Sequence, residues 1–419
     1  MFDRKIAPPF SKTSSLTLPE TTQIDLPSGL KIHHIKGVQQ NVLKLELVFR
    51  AGKWFEPKIG LSNFTAQMLE KGVVNKSSTQ ISEIFDQYGA HLEISPGFDF
   101  VSVSIYALKS KIKAVLPIFL DIISSPTFLD KEWKQMQSIA LQNLRVSEEK
   151  TGYLASKYIR QNIFGLSHPY GPSVEEHHIK EITSNDLKDY FGSNFNIHQI
   201  YLIGDLKESE INSLVDVFNP FPASKSNNGE RKTSVGGSLN YHLDKKNSIQ
   251  SSIRMGKKSL LKTDPQYFDL QILNHFLGGF FGSRLMKNIR EEKGLTYGIS
   301  SSLNSFQNES MLAIGADVDK VNLKLAIKEI KAELKKLRTN EIGEQELTLA
   351  KNHFIGSLQS DMANPFSVAE KIKSINIFGL PKDFYQQLID RVDQITPSEI
   401  IQTAEVHFHE DSFFEVTVG

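Results

Sequence analysis

Gly52 to Gly89 reads GKWFEPKIGLSNFTAQMLEKGVVNKSSTQISEIFDQYG. Within it, Gly60-Leu61-Ser62-Asn63-Phe64-Thr65-Ala66-Gln67-Met68-Leu69 is followed by Lys71-Gly72. Asn63 and Gln67 are four residues apart, so a helix here carries both on one face, with Ala66 beside them. After the glycine, Ser77 or Ser78 is placed to cap a second helix. Its apolar stripe is Ile81, Ile84, Phe85 and Tyr88, and it ends at Gly89-Ala90.

Outward from this stretch, Phe100 to Ile105 alternates apolar and polar residues as a half-buried strand does. Two helical stripes follow, Ile112, Val115, Leu116 and Phe119, then Trp133, Met136, Ile139 and Ala140. The second half repeats the order. Met311 to Val318 reads as a strand, and Leu323, Ile327, Ile330 and Leu334 as a long helix. Strand blocks followed by long helices predict an α+β fold with mostly antiparallel sheets.

The two halves also match in sequence. Ile163-Phe164-Gly165-Leu166 recurs as Ile377-Phe378-Gly379-Leu380, and Ile182-Thr183 as Ile395-Thr396. An apolar run ends at Gly204, and another ends the chain at Gly419. All three matches lie 213 to 215 residues apart. Matches in order at one offset indicate two copies of one fold. Between them, Pro220 to Gly237 is rich in Ser, Asn, Gly and Pro and reads as a linker. The expected division is therefore 1–219, a linker at 220–237, and 238–419.

The second half holds a second notable segment. Leu277-Gly278-Gly279-Phe280-Phe281-Gly282-Ser283-Arg284-Leu285 precedes Arg290-Glu291-Glu292-Lys293-Gly294-Leu295-Thr296-Tyr297. Ser283 is a good helix N-cap, and Gly294 suits the left-handed position that ends a helix. Tyr297, Ile299 and Ser301 then start an alternating strand. The glycine-rich run lacks the G-x-x-x-x-G-K-[ST] form of a phosphate loop.

Composition narrows the function classes. Lys plus Arg and Asp plus Glu are equal at 48, so no charge excess points to nucleic acid or an anionic membrane as partner. The absence of cysteine excludes disulfides, thiolate metal sites and a cysteine nucleophile. The first residues, MFDRKIAPPFSKTSS, contain no apolar core of a secretory signal, and no apolar run reaches membrane-spanning length. A cytoplasmic location is expected. Of the histidine clusters, Glu175-Glu176-His177-His178 reads as a solvated loop, His407 and His409 share a face if their stretch is a strand, His91 and Glu93 do likewise, and His275 sits in a helix stripe beside Phe276.

From Leu30 to Gly419 the chain resembles the pitrilysin/insulinase family of zinc metallopeptidases, which includes mitochondrial processing peptidase. Members carry Gly-Leu-Ala-His-Phe-Leu-Glu-His-Met-Leu and Lys-Gly where this chain has Gly60 to Leu69 and Lys71-Gly72. In the H-x-x-E-H motif, two histidines bind zinc and the glutamate serves as base to the metal-bound water. Here those positions are Asn63, Ala66 and Gln67, and none of the twelve histidines has the motif's spacing. The family's third ligand, a later glutamate, has no counterpart in Gln142-Asn143-Leu144-Arg145, with Glu148 and Glu149 beyond it. The resemblance thus implies no catalytic residue and no zinc in this chain.

The second segment is close to the family's second-domain signature. By resemblance, Arg290 and Tyr297 hydrogen-bond the backbone of a bound peptide near its scissile bond. The resemblance implies a non-catalytic, substrate-binding subunit, inactive alone, paired with a homologous zinc-bearing chain. The two would face each other like bowls around small or unfolded peptides, held as an added strand at a sheet edge. The alternative it leaves open is a structural scaffold or peptide-binding subunit without proteolysis, like respiratory-complex core proteins.

Overall fold

A computed structural model describes residues 18–19, 21–37, 41–224 and 236–419. The N-terminal 1–17 and most of the expected linker, 225–235, lie outside the described residues.

In the first half, strands β1 (Thr21–Asp25), β2 (Lys31–Ile35) and β3 (Val42–Phe49) precede helices α1 (Leu61–Met68) and α2 (Ser78–Gln87). Strands β4 (His91–Pro96) and β5 (Val101–Leu108) follow. Then come α3 (Ile112–Ser124), α4 (Asp130–Glu148), α5 (Thr151–Phe164), α6 (Glu176–Glu181), α7 (Ser184–Asn194), β6 (Ile197–Ile203) and α8 (Glu208–Asp216). The second half runs β7 (Asn240–Leu243), β8 (Gln250–Lys258), α9 (Tyr267–Gly278), β9 (Thr296–Ser305) and β10 (Ser310–Asp319). It closes with α10 (Leu323–Thr339), α11 (Glu344–Met362), α12 (Pro365–Phe378), α13 (Phe384–Gln394), α14 (Pro397–His407) and β11 (Phe414–Val418).

The first sheet has the order β1-β2-β6-β3-β5-β4 and the second β7-β11-β8-β10-β9. Apart from β1, the two are the same sheet. Each has one parallel pair, β2 with β6 and β7 with β11, and is antiparallel elsewhere. The α+β, mostly antiparallel reading and the duplication are both present. The repeated Ile-Thr is local chemistry. Thr183 caps α7 with Asp186 in a reciprocal box, and Thr396 caps α14 with Glu399 in the same way. Ser77, with Gln80, does this for α2.

Strand parity explains how the layers stack. On β3, Leu43, Leu45, Leu47 and Phe49 point into the first core, against Phe64, Phe119 and Trp133. Val48 points to the opposite face, where α12 of the second half lays Val368, Ala369 and Ile372. The converse holds for the second sheet. Its inner residues Leu312, Ile314 and Ala316 pack with α9, α10 and α14, while Met311, Val416 and Val418 meet Leu154, Ile159, Ile163 and Phe164 of α5. Each half therefore covers the other's sheet with the helix that ends in Ile-Phe-Gly-Leu. Most expected stripe residues are buried, but Ile139 is 51% exposed, because only the Trp133 side of α4 meets the core. No helix among the described residues is long and apolar enough to cross a membrane.

Candidate functional site

The helix that decides the fold is α1. It starts after Gly60, which holds a left-handed φ of 94° and where a Cβ would come within 2.9 Å of Val174. Ser62 anchors its first turn, with Oγ donating to the Ala51 carbonyl at 2.5 Å and its amide donating to Glu56 Oε2 at 3.1 Å. Asn63 and Gln67 share a face, as their spacing requires, and bond each other: Gln67 Nε2 donates to Asn63 Oδ1 at 3.2 Å. Ala66 is fully buried in the core and offers no group to solvent.

This constellation does not fit zinc. The metal takes imidazole, thiolate or carboxylate donors, whereas α1 presents two neutral amides engaged with each other. At the end of α4, Glu148 pairs with Lys157 at 3.3 Å and Glu149 with Lys245 at 3.0 Å. Among the described residues, no group of three or more His, Asp or Glu is placed to hold a metal ion.

Arg290 and Tyr297 are brought together. Arg290 lies on a π-helical turn, Met286–Glu292, a wide geometry that occurs disproportionately at functional positions. Gly294, left-handed at φ 61°, ends the turn as its position in the sequence requires. The expected hydroxyl cap at Ser283 does not form. Its carbonyl accepts from Lys287 N at 2.9 Å, but its buried Oγ has no hydrogen-bond partner. The Arg290 guanidinium sits 4.9 Å from the Tyr297 ring centre and 5.0 Å from that of Phe281, within cation–π range.

Tyr297 departs from the expected alternation. Ile299 and Ser301 are buried, yet Tyr297 is 89% exposed. The cause is an irregularity between Thr296 and Ile299 in the β9–β10 ladder. There Thr296 Oγ1 donates to the Asp317 carbonyl at 2.6 Å and accepts from Gly298 N at 3.2 Å. A bulge of this kind re-aims a side chain away from the sheet. The ring is thus held on the surface by its own strand edge and by Arg290.

Beside this edge lies a cavity of about 450 Å³ between the halves, lined by Gly298, Ser300, Ser302 and Asn304 of β9 and by Ser156 and Arg160 of α5. Its walls are fixed across the halves. Asp99 accepts from the Gln307 amide at 2.9 Å and from the Tyr170 hydroxyl. Arg254 of β8 reaches Ser156 at 3.2 Å and Asp317 at 3.1 Å. The lining mixes these hydroxyls and the Asn304 amide, which can meet peptide backbone, with apolar Ile159, Phe306 and Met311. Sequence reasoning passed over Arg160, whose neighbours come from distant segments.

The histidine clusters resolve into ordinary roles. Glu176–Glu181 is a short helix, not a loop; His178 Nδ1 accepts from the Glu175 amide at 3.0 Å. His407 ends α14, so it shares no strand face with His409. His91 and Glu93 do share the exposed face of β4, where Glu93 accepts from Tyr106 at 3.0 Å. His275 stacks on Phe280 at 4.6 Å, and burial, with His353 close by, pushes its pKa down to about 4.

Residues 35–169 match the family model described as Insulinase (Peptidase family M16), and residues 181–354 match that described as Peptidase M16 inactive domain. The chain is 23% identical over 361 residues to an uncharacterized zinc protease, YmxG, of Bacillus subtilis (strain 168), covering 84% of this chain and 86% of that protein. It is 24% identical over 408 residues to the non-peptidase homolog YmxG of Helicobacter pylori (strain ATCC 700392 / 26695), covering 94% and 92%. A crystal structure of a peptidase M16 inactive domain from Pseudomonas fluorescens superposes with a TM-score of 0.86 at 22% identity, covering 95% of this chain and 98% of that one. At that identity the likeness is one of fold.

Proposed function

This chain belongs to peptidase family M16, the insulinase family, and we propose that it is the substrate-binding, non-catalytic subunit of a two-chain zinc metallopeptidase of the cytoplasm. The observation that carries this reading is the contrast between its two segments. On α1 the positions of both zinc ligands and the base hold Asn63, Gln67 and the buried Ala66. On β9 the exposed Tyr297 and the guanidinium of Arg290 stand together at a bulged sheet edge. A chain that had lost all contact with peptides would have no use for that second arrangement.

In this reading the partner is a homologous chain with H-x-x-E-H, which holds the zinc and its activated water. Arg290 offers fixed donors to backbone carbonyls of the peptide, and the Tyr297 hydroxyl stands ready to donate to charge developing on oxygen. The substrates are short or unfolded peptides lying along β9. Residues 1–219 and 238–419 act as two peptidase-like domains of one bowl, joined by 220–237.

The test is hydrolysis of an unstructured peptide by this chain alone, by its zinc-bearing homologue alone, and by the mixture, with zinc quantified in each. A silent, zinc-free chain that raises the homologue's activity supports the reading. A mixture that forms no complex and gains no activity overturns it in favour of a scaffold. Chelator-sensitive hydrolysis by the chain alone overturns both.

A further inference from the structure

We propose that the cavity bordered by Lys53, Asn63, Arg160 and Ser173 is a carboxylate-binding site that receives the acidic terminus or an acidic side chain of an extended peptide. The peptide part of this statement rests on the function proposed above; the carboxylate part does not.

The cavity has a volume of about 290 Å³. Its walls come from the turn at Lys53–Phe55, the start of α1, the loop at Pro96-Gly97-Phe98, α5 and Ser173-Val174. Two cations converge on it. Lys53 Nζ lies 5.6 Å and Arg160 Cζ 5.5 Å from the centre of one ring, Phe98. Lys53 donates to the Pro172 carbonyl, and Arg160 Nη2 donates to Ser173 Oγ at 2.6 Å.

Arg160 is left incomplete. Its Nε is buried with no hydrogen-bond partner, and Glu148 and Glu175 are paired with Lys157 instead. The carboxylate on the lining, Glu56, is engaged by the Ser62 amide at 3.1 Å. Two cations against one carboxylate leave a positive excess in a recess that opens to solvent on one side. Burial, then the neighbouring guanidinium, pushes the Lys53 pKa down to about 8, and burial lowers that of Arg160.

A guanidinium Nε buried without a partner is costly unless something completes it. Nε and Nη2 form the side-on fork that a carboxylate fits with two parallel bonds, Nη2 giving one hydrogen to the fork and keeping the other for Ser173 Oγ. The recess is too small for more than a chain end or one side chain. It shares Phe98 and Arg160 with the larger cavity along β9. A peptide lying on the serine-lined wall would therefore reach the recess with one acidic group.

The test uses the full chain and three fluorescent decapeptides without other anionic groups: a free C-terminal acid, its amide, and the amide with one internal Glu. N-acetylglycine and N-acetylglycinamide are compared in parallel by saturation-transfer NMR. We expect the free acid to bind about tenfold or more tightly than the amide, as charge-assisted hydrogen bonds of this kind allow. Binding by the Glu peptide at the strength of the acid shows that the site takes a side chain as well as a terminus; binding at the amide's level assigns it to the terminus alone, and tight binding by the Glu peptide with acid and amide equal assigns it to side chains. N-acetylglycine should give a signal that N-acetylglycinamide lacks. Arg160→Gln and Lys53→Met should abolish both differences. If Arg160→Gln fails to fold, the acid–amide comparison in the unaltered chain and the Lys53→Met variant carry the test. Equal binding of all three peptides, with no N-acetylglycine signal, overturns the site while leaving peptide binding intact. An Arg160-dependent N-acetylglycine signal without peptide binding upholds the carboxylate site and sinks the peptide-subunit reading. Silence in every arm overturns both.

Discussion

Tyr297 is exposed because Thr296 diverts its strand, and Arg290 caps the ring because a π-helical turn aims it there. Neither feature is needed by the core, so both residues can be removed without unfolding the chain. We predict that Tyr297→Phe lowers kcat/KM of the assembled pair by about 10²-fold, the usual effect of deleting one oxyanion donor. Arg290→Ala, which removes charged donors to the peptide backbone, should lower it by about tenfold, with Tm unchanged in both variants. Activity within twofold of the unaltered pair would remove these residues from substrate handling. A second residue-scale prediction concerns His275. Its folded pKa is depressed to about 4 by burial and by His353. Between that value and the ordinary 6.5 the unfolded chain binds the extra proton, so stability is full above about pH 6.5 and falls as pH drops towards 4. His275→Phe keeps the stack on Phe280 and should flatten part of that decline, read as urea midpoints at pH 7 and pH 5. An identical decline in the variant would place the titration elsewhere. At this scale the sequence was partly legible. The i, i+4 spacing of Asn63 and Gln67 foretold their shared face, and Gly294 its left-handed turn. Tyr297's exposure was hidden by the bulge, since alternation alone puts it with the buried Ile299. Arg160 was invisible because Phe98 and Ser173, which define its environment, are brought to it by the fold.

Among elements, the exchange of α5 and α12 sets the geometry between the halves. The repeated Ile-Phe-Gly-Leu marked the end of both helices but could not say that each crosses to the other sheet, because an apolar helix face does not name its partner. What seats α12 is more specific than apolar packing. Glu46, on the outer face of β3 and 2% exposed, pairs with Lys44 at 2.7 Å and with Lys373 of α12 at 2.6 Å. Glu370 of α12 returns the contact to Lys44 at 3.1 Å. In β3, VLKLELVF, these charges occupy the alternate positions that would be solvated if α12 were absent. Lys44 and Lys373 together hold the Glu46 carboxyl below its ordinary pKa despite its burial. Replacing it with Gln leaves Lys44 and Lys373, 5% and 17% exposed, sharing the half-exposed Glu370. We predict that Glu46→Gln costs about 3 kcal/mol in urea unfolding, in line with breaking a buried pair by removing one partner. The loss should shrink when Lys373→Met is added, since the second change removes one of the stranded charges. Additive losses would mean that the two side chains do not act as a unit.

For the whole molecule, duplication was legible from three matches at one offset, and the sheets follow it strand for strand, with β1 the addition. The α+β class was legible from period alone. The cavity between the halves was not, because it is made by packing one copy's helix on the other's sheet. That packing matters for assembly. In the proposed reading, a chain with this strand-edged cavity, and with no metal-binding group among the described residues, is half of an enclosure that a second copy of the same fold closes while supplying the zinc. Such a pair should bury at least the roughly 1,200 Å² typical of stable complexes. Its zinc should then follow composition: one ion per two chains in the isolated complex, and none in this chain alone. Stability gives an independent reading, since a metal that binds only the folded state raises Tm by mass action. Adding micromolar zinc should leave this chain's Tm unchanged and raise that of the zinc-bearing homologue. In the complex, the zinc-dependent shift should disappear when the homologue's first motif histidine is changed to Ala, and persist when Asn63 here is changed to Ala. A zinc-dependent shift in this chain alone, lost in Asn63→Ala, would show that its amide pair binds metal after all and would make the chain a candidate peptidase in its own right.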